Sequence, residues 1–143
     1  MEKPTTIKDV KLIEFNQIKE NNGTLVPIED FELPFEIKRT FYVYKVDSND
    51  LRGQHAHKQG EQVLICLGGT LVCMVDDGVD RKHFVLDSPT QGLYIPKMIW
   101  DEQIYISKDT LMLSLANNNY DSEDYILNYK EFRQLKTENN ENG

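Results

Sequence analysis

With 24 acidic side chains against 16 basic ones and a net charge of -8, this 143-residue chain is one domain long and too acidic to hold nucleic acid through a basic face. No apolar run approaches the roughly 20 residues of a membrane span. Met1 to Thr6 also lacks the apolar stretch of a secretory signal, so neither a membrane nor nucleic acid is expected as a partner, and the cytoplasm is the default location.

In chain order, period-two alternation dominates. Lys11 to Phe15 and Gly23 to Ile28 are predicted as short strands separated by the turn residues Lys19 to Gly23. Ile37 to Val46 is rich in β-branched and aromatic residues, a composition that fits a half-buried pleated surface, and Asp47-Ser48-Asn49-Asp50 breaks it. Gln62 to Leu86 reads as successive hairpins, with Gly68-Gly69 and Asp77-Gly78 supplying the positive φ that tight turns need. Further strands are predicted at Leu93 to Ile95, Met98 to Ile106 and Leu111 to Leu115. Asp121, followed three residues later by Asp124, reads as the cap of a helix running to about Leu135, with Tyr125, Ile126, Tyr129 and Phe132 forming its apolar stripe. Short strands with frequent turns predict a mostly β, antiparallel barrel of jelly-roll type with a C-terminal α-helix. The chain reads as a single domain over 1–143, with 1–8 and 137–143 flexible. Cys66 and Cys73 have no metal-knuckle or CxxC spacing and read as buried thiols. They face each other across a hairpin if Gly69-Thr70 is its turn.

The chemistry is concentrated at His55 and His57, which share a face if they lie on one strand. His55-Ala56-His57, then Glu61 and Gly68, resembles the first motif of the cupin superfamily. A second motif follows at Pro96 to Asp101, with Met98 and Asp101 standing where the family pattern has glycine and histidine. Two readings of these residues stay open. His55, His57, Glu61 and Asp101 are a ligand set suited by type to iron or manganese. Alternatively, no metal is used and the imidazoles act as acid and base, moving a proton from carbon next to a ketone through an enediol, with Glu61 or Asp101 orienting a ring. Arg39 and Arg52 supply guanidinium forks suited to a diphosphate. Tyr42, Tyr44, Tyr94 and Trp100 offer faces for a base or sugar ring.

From about Asn22 to Phe132 the sequence resembles the cupin-fold sugar 3,4-ketoisomerases that act on dTDP-4-keto-6-deoxyglucose. The resemblance is carried by Gly23-Thr24-Leu25, Ile37-Lys38-Arg39 with Tyr42, Arg52 to Lys58, Glu61 to Leu64, Leu86 to Pro89, Gly92 to Ile95, Trp100, and Tyr120 to Ile126. It implies a proton shift between C3 and C4 without metal or other cofactor. It also implies a homodimer with exchanged strands, and a product that an aminotransferase converts to a 3-amino-3,6-dideoxy sugar for O-antigen or S-layer glycans. Arg39, Tyr42, Tyr44, Arg52, Glu61 and Trp100 are the expected substrate contacts. Asn22 and Asp101, which depart from the family's usual residues near the sugar, bear on the face of C4 that is protonated. A non-catalytic nucleotide-sugar binding module is the remaining alternative.

Overall fold

The computed structural model describes residues 3–142. Its strands are β1 (Lys11–Glu14), β2 (Ile18–Glu20), β3 (Gly23–Leu25), β4 (Arg39–Val43), β5 (Asp50–His57), β6 (Gln62–Gly68), β7 (Leu71–Asp76), β8 (Arg81–Leu86), β9 (Gln91–Ile95), β10 (Trp100–Tyr105), β11 (Leu111–Ala116) and β12 (Tyr125–Ile126), and helix α1 is Tyr129–Asn142. Among the described residues two five-stranded sheets form, ordered β1-β9-β6-β11-β4 and β12-β5-β10-β7-β8, with β2 and β3 as a separate hairpin. All the pairings are antiparallel. This is the mostly β jelly-roll barrel with a C-terminal helix that the alternation predicts.

Period-two patterning explains why each sheet has two distinct faces. The faces turned toward each other enclose Leu64, Leu71, Val75, Leu93, Ile99 and Tyr105. Outside the first sheet, Val63, Ile65 and Leu115 are covered by Phe15, Leu33 and Phe35. Outside the second, Ala56, Met74 and Trp100 lie under Ile126 and Phe132. With both faces covered, even the central strand β6 is nearly continuous in apolar residues, Val63 to Cys66 all being buried.

Two local expectations are corrected. Asp121 caps only a 3-10 turn at Ser122–Asp124, through its side chain and the Glu123 N–H. The chain then extends to pair Tyr125 and Ile126 with His57 and Ala56. The helix opens later, where Asn128 Oδ1 accepts from the Glu131 N–H at 2.9 Å. Cys66 and Cys73 do not face each other across a hairpin, because β6 and β7 belong to different sheets; both are free and buried. At the N-terminus, Thr5 and Ile7 bond to the rest of the chain. The Thr5 hydroxyl donates to the Lys97 carbonyl at 2.7 Å, the Ile7 N–H donates to Asp77 at 2.8 Å, and the Lys136 ammonium donates to Thr5. Met1, Glu2 and Gly143 lie outside the described residues.

Phe132 is fully buried between the helix and Trp100, with ring centroids 5.8 Å apart. Phe132→Ala is expected to lower stability by about 3–5 kcal/mol, read as a lower urea midpoint at unchanged slope.

Candidate functional site

Strand β5 carries both histidines, and its pairing with β10 is interrupted by one extra residue. Asp101 faces His55 and Glu102 faces Gly53, leaving Gln54 without a register partner. Gly53 and Gln54 have φ of 84° and 58°, the backbone of a β-bulge, which glycine adopts without steric cost. The insertion changes side-chain parity. On a regular strand Arg52 and His55, three residues apart, point to opposite faces. Here Arg52 pairs with Gln103, which shares a face with Asp101, so the guanidinium and the imidazole come to the same side.

The two imidazole rings meet edge to face with centroids 5.0 Å apart. Tyr125, delivered by the β12–β5 pairing, packs on both, at 5.1 Å from His55 and 4.5 Å from His57. His57 is held at both nitrogens. Nδ1 lies 3.0 Å from Asp124 Oδ2, and Nε2 lies 3.3 Å from the amide nitrogen of Gln62. Asp124 also accepts from the Gln59 N–H at 2.7 Å, the Gly60 N–H at 3.1 Å and Asn118 at 3.4 Å. An acceptor so engaged makes Nδ1 the protonated nitrogen and leaves the Nε2 lone pair for the Gln62 donor. Gly60 permits this approach, since a Cβ there would stand 2.7 Å from Asp124 Oδ2 and 3.1 Å from His57 Nδ1.

Burial, and next the neighbouring His55, push the His57 pKa below its ordinary value, against the opposing pull of Asp124 and Asp101. His57 is therefore a neutral imidazole at pH 7 with one basic nitrogen. His55 is more open, and its Nε2 stands 3.8 Å from Asp101 Oδ1.

Of the other expected site residues, Arg39 lies on β4 with its guanidinium over Phe41 and Tyr120, at 5.2 and 5.7 Å from the ring centroids. Its Nε is buried without a hydrogen-bond partner. Tyr120 continues to Tyr125 at 5.9 Å, linking this arginine to the histidines through aromatic rings. Tyr42, Tyr44 and Arg52 line a separate cleft of about 510 Å³.

Glu61, Trp100 and Asn22 also lie apart from the imidazoles. Glu61 is bonded by the Tyr94 hydroxyl and by Asn117, and Tyr94 packs with Phe35 in the cluster outside the first sheet. Trp100 lies on the face of β10 opposite Asp101, donates to Glu102 at 3.0 Å and packs under the helix. Asn22 sits in the exposed turn between β2 and β3. The carboxylate that orients an imidazole is thus Asp124, not Glu61. Sequence reasoning missed it by assigning the 121–126 segment to a helix cap. The available signal was the Tyr125-Ile126 pair directly after it, which suits a short strand beside His57. Among the described residues no three His, Cys, Asp or Glu side chains are grouped as a metal site needs.

The chain matches the family model described as FdtA: WxcM-like, C-terminal, over residues 8–137. It is 42% identical over 125 residues to a TDP-4-oxo-6-deoxy-alpha-D-glucose-3,4-oxoisomerase from Aneurinibacillus thermoaerophilus, covering 87% of this chain and 90% of that protein. A 3,4-ketoisomerase from Helicobacter canadensis superposes with a TM-score of 0.87 at 38% identity, covering 90% of this chain and 98% of the other. A histidine-to-asparagine mutant of the 3,4-ketoisomerase QdtA from Thermoanaerobacterium thermosaccharolyticum, in complex with TDP-4-keto-6-deoxyglucose, superposes with a TM-score of 0.89 at 36% identity over 93% of this chain and 97% of its own.

The lowered pKa of His57 sets the sign of a pH effect on folding. Below about pH 6.5 the unfolded imidazole takes up a proton that the folded one refuses. The unfolded state then binds more protons, so stability falls as pH drops from 6.5 through the lower folded pKa. His57→Gln is expected to make the urea midpoint less sensitive to pH in that window.

Proposed function

Because the chain belongs to the FdtA family, we propose that it is a sugar 3,4-ketoisomerase that converts TDP-4-keto-6-deoxyglucose to a TDP-3-keto-6-deoxyhexose. The observation carrying this reading is a buried, neutral His57 with a fixed tautomer, next to a second, more exposed imidazole. Identity to an oxoisomerase of that substrate over most of both chains supports the reaction class. Glu61 is engaged by Tyr94 and Asn117, which speaks against the four-ligand metal set.

One of the two imidazoles takes the proton from C3, and the C3–H electron pair forms the C3–C4 double bond as the carbonyl electrons move to O4. The other imidazole gives O4 a proton, producing a neutral 3,4-enediol. In the second half, the imidazole that protonated O4 takes the O3 proton as the C3 carbonyl forms, and the imidazole that took the C3 proton returns it to C4. C3 is oxidised, C4 is reduced, and the two histidines end in their starting states. Arg39, whose Nε is buried without a partner, and Arg52, turned to the same face as His55 by the bulge, hold the diphosphate. Tyr125 closes the sugar pocket over both rings, and Tyr42 and Tyr44 offer faces to the thymine.

The enzyme works as a homodimer with exchanged strands. Support comes from the β2–β3 hairpin, which leaves Ile18 and Leu25 half-exposed, and from Tyr42, 66% exposed on edge strand β4. Partner exchange would also carry Asn22 toward a neighbouring site. Free buried thiols fit a cytoplasmic enzyme, and net charge -8 speaks against nucleic acid. No helix among the described residues is long and apolar enough to cross a membrane. A 3-keto sugar nucleotide is a substrate for an aminotransferase, placing the protein in deoxysugar synthesis for O-antigen or S-layer glycans.

EDTA-treated protein incubated with TDP-4-keto-6-deoxyglucose in D2O is expected to place deuterium on the sugar, followed by NMR. A folded protein that gives no exchange refutes the reading. His57→Asn should lower the rate by roughly 10²- to 10⁴-fold, the usual contribution of a positioned base. The acid limb of kcat/KM is expected below pH 6.5, because the depressed pKa keeps His57 in its basic form as pH falls.

A further inference from the structure

The turn that joins β9 to β10 carries a strained residue. Met98 has a φ of 58°, in the left-handed region that a residue with a Cβ rarely adopts. Glycine, which the second sequence motif has at this position, would take up that geometry without cost. The methionine side chain is 8% exposed and lies buried with Ala56, Trp100, Ile126 and Phe132. The peptide group before it is held at both ends. Its N–H, on Met98, donates to the His57 carbonyl at 2.8 Å. Its carbonyl, on Lys97, accepts the Thr5 hydroxyl at 2.7 Å. Rotating this peptide plane would return Met98 to a negative φ, the difference between type II and type I turns. It would also break both bonds.

Thr5 is fixed in turn by a charge near the far end of the chain. Lys136 on α1 is 3% exposed. Its ammonium donates to the Thr5 carbonyl and, at 3.0 Å, to the Thr5 hydroxyl oxygen. A buried ammonium needs such partners. Because the ammonium occupies a lone pair of that oxygen, the hydroxyl proton is directed to Lys97. Gly78 in the β7–β8 turn packs on the lysine stem, since a Cβ there would stand 3.5 Å from it. Asp77 in the same turn accepts the Ile7 N–H at 2.8 Å. A continuous path of hydrogen bonds thus runs from α1 through Thr5 and the 97–98 peptide to the backbone of His57.

We propose that Thr5 and Lys136 are positioning residues that lock the 97–98 peptide in the orientation whose N–H holds the His57 carbonyl, and so keep the end of β5 and its imidazole in place for the substrate. This rests on the isomerase reading above and extends the catalytic machinery to both ends of the chain. A peptide released by Thr5 turns over, Met98 relaxes, and the end of β5 loses that tie.

The test compares the parent with Thr5→Val, which keeps the shape and removes the hydroxyl, and with Lys136→Met, which keeps the stem and removes the charge. Both are expected to lower kcat about fivefold with KM within about twofold, as when a reacting group is displaced and substrate binding is not. Thr5→Ser should retain the parental kcat. In the substrate-free proteins, hydrogen exchange of the Met98 amide should quicken roughly tenfold in Thr5→Val and Lys136→Met relative to the amides of β6. A role confined to stability lowers Tm and quickens β6 alongside Met98. The proposal is overturned if the folded variants keep the parental kcat, if Met98 exchanges no faster relative to β6 than in the parent, or if Thr5→Ser behaves as Thr5→Val does. Because exchange is read without substrate, a parent that does not turn over the TDP sugar refutes the isomerase reading separately from this one.

Discussion

Four donors converge on the Asp124 carboxylate, and the geometry of the site depends on that convergence. Two are backbone N–H groups from the loop between β5 and β6, one is Asn118, and the last is His57 Nδ1. A charge-assisted cluster of this kind does two jobs at once. It clamps the loop after the histidines to the segment that follows β11, and it chooses the tautomer of His57. The Lys58 N–H donating to the Asp124 carbonyl at 2.8 Å extends the clamp along the backbone. Docking of the C-terminal segment and fixing of the His57 tautomer are thus one structural event.

The opposed demands on β10 show how a single strand serves both stability and chemistry. Trp100 points outward under the helix, while Asp101, Gln103 and Tyr105 point inward toward the histidines or the core. Neighbours in sequence therefore answer to different constraints. The outward row needs volume to fill the space beneath Phe132. The inward row needs its polar atoms satisfied in a place where water does not reach, because a buried amide or carboxylate without partners costs several kcal/mol.

Much of this was legible in the sequence, for identifiable reasons. Alternation and Gly-rich turns mark most of the barrel strands because each exposes one face to one environment. The i, i+2 spacing of His55 and His57 puts both rings on one face, where they meet edge to face. What could not be seen was set by contacts distant in the chain. Asp121 has good capping chemistry, but pairing of Tyr125 and Ile126 with β5 overrides the helix until Asn128. Trp100 as a ring for the sugar was a reading of residue type; its face is decided by strand parity, which puts it away from Asp101. Glu61 occupies a metal-ligand position in the motif, yet Tyr94 and Asn117 hold it outside the first sheet.

The single unpaired residue in β5 has a wider consequence. A strand ordinarily copies its pattern faithfully, so any two side chains an odd number apart are condemned to opposite sides. By slipping in Gln54, the fold breaks that arithmetic once, and a short stretch of chain presents both a guanidinium and an imidazole on one face. The motif's apparent spacing thus measures distance along the chain and not across the site. Gain or loss of one residue there would rotate Arg52 from pocket to exterior while leaving every residue type intact. In this barrel, insertion length within a strand is itself a determinant of what can be recognised.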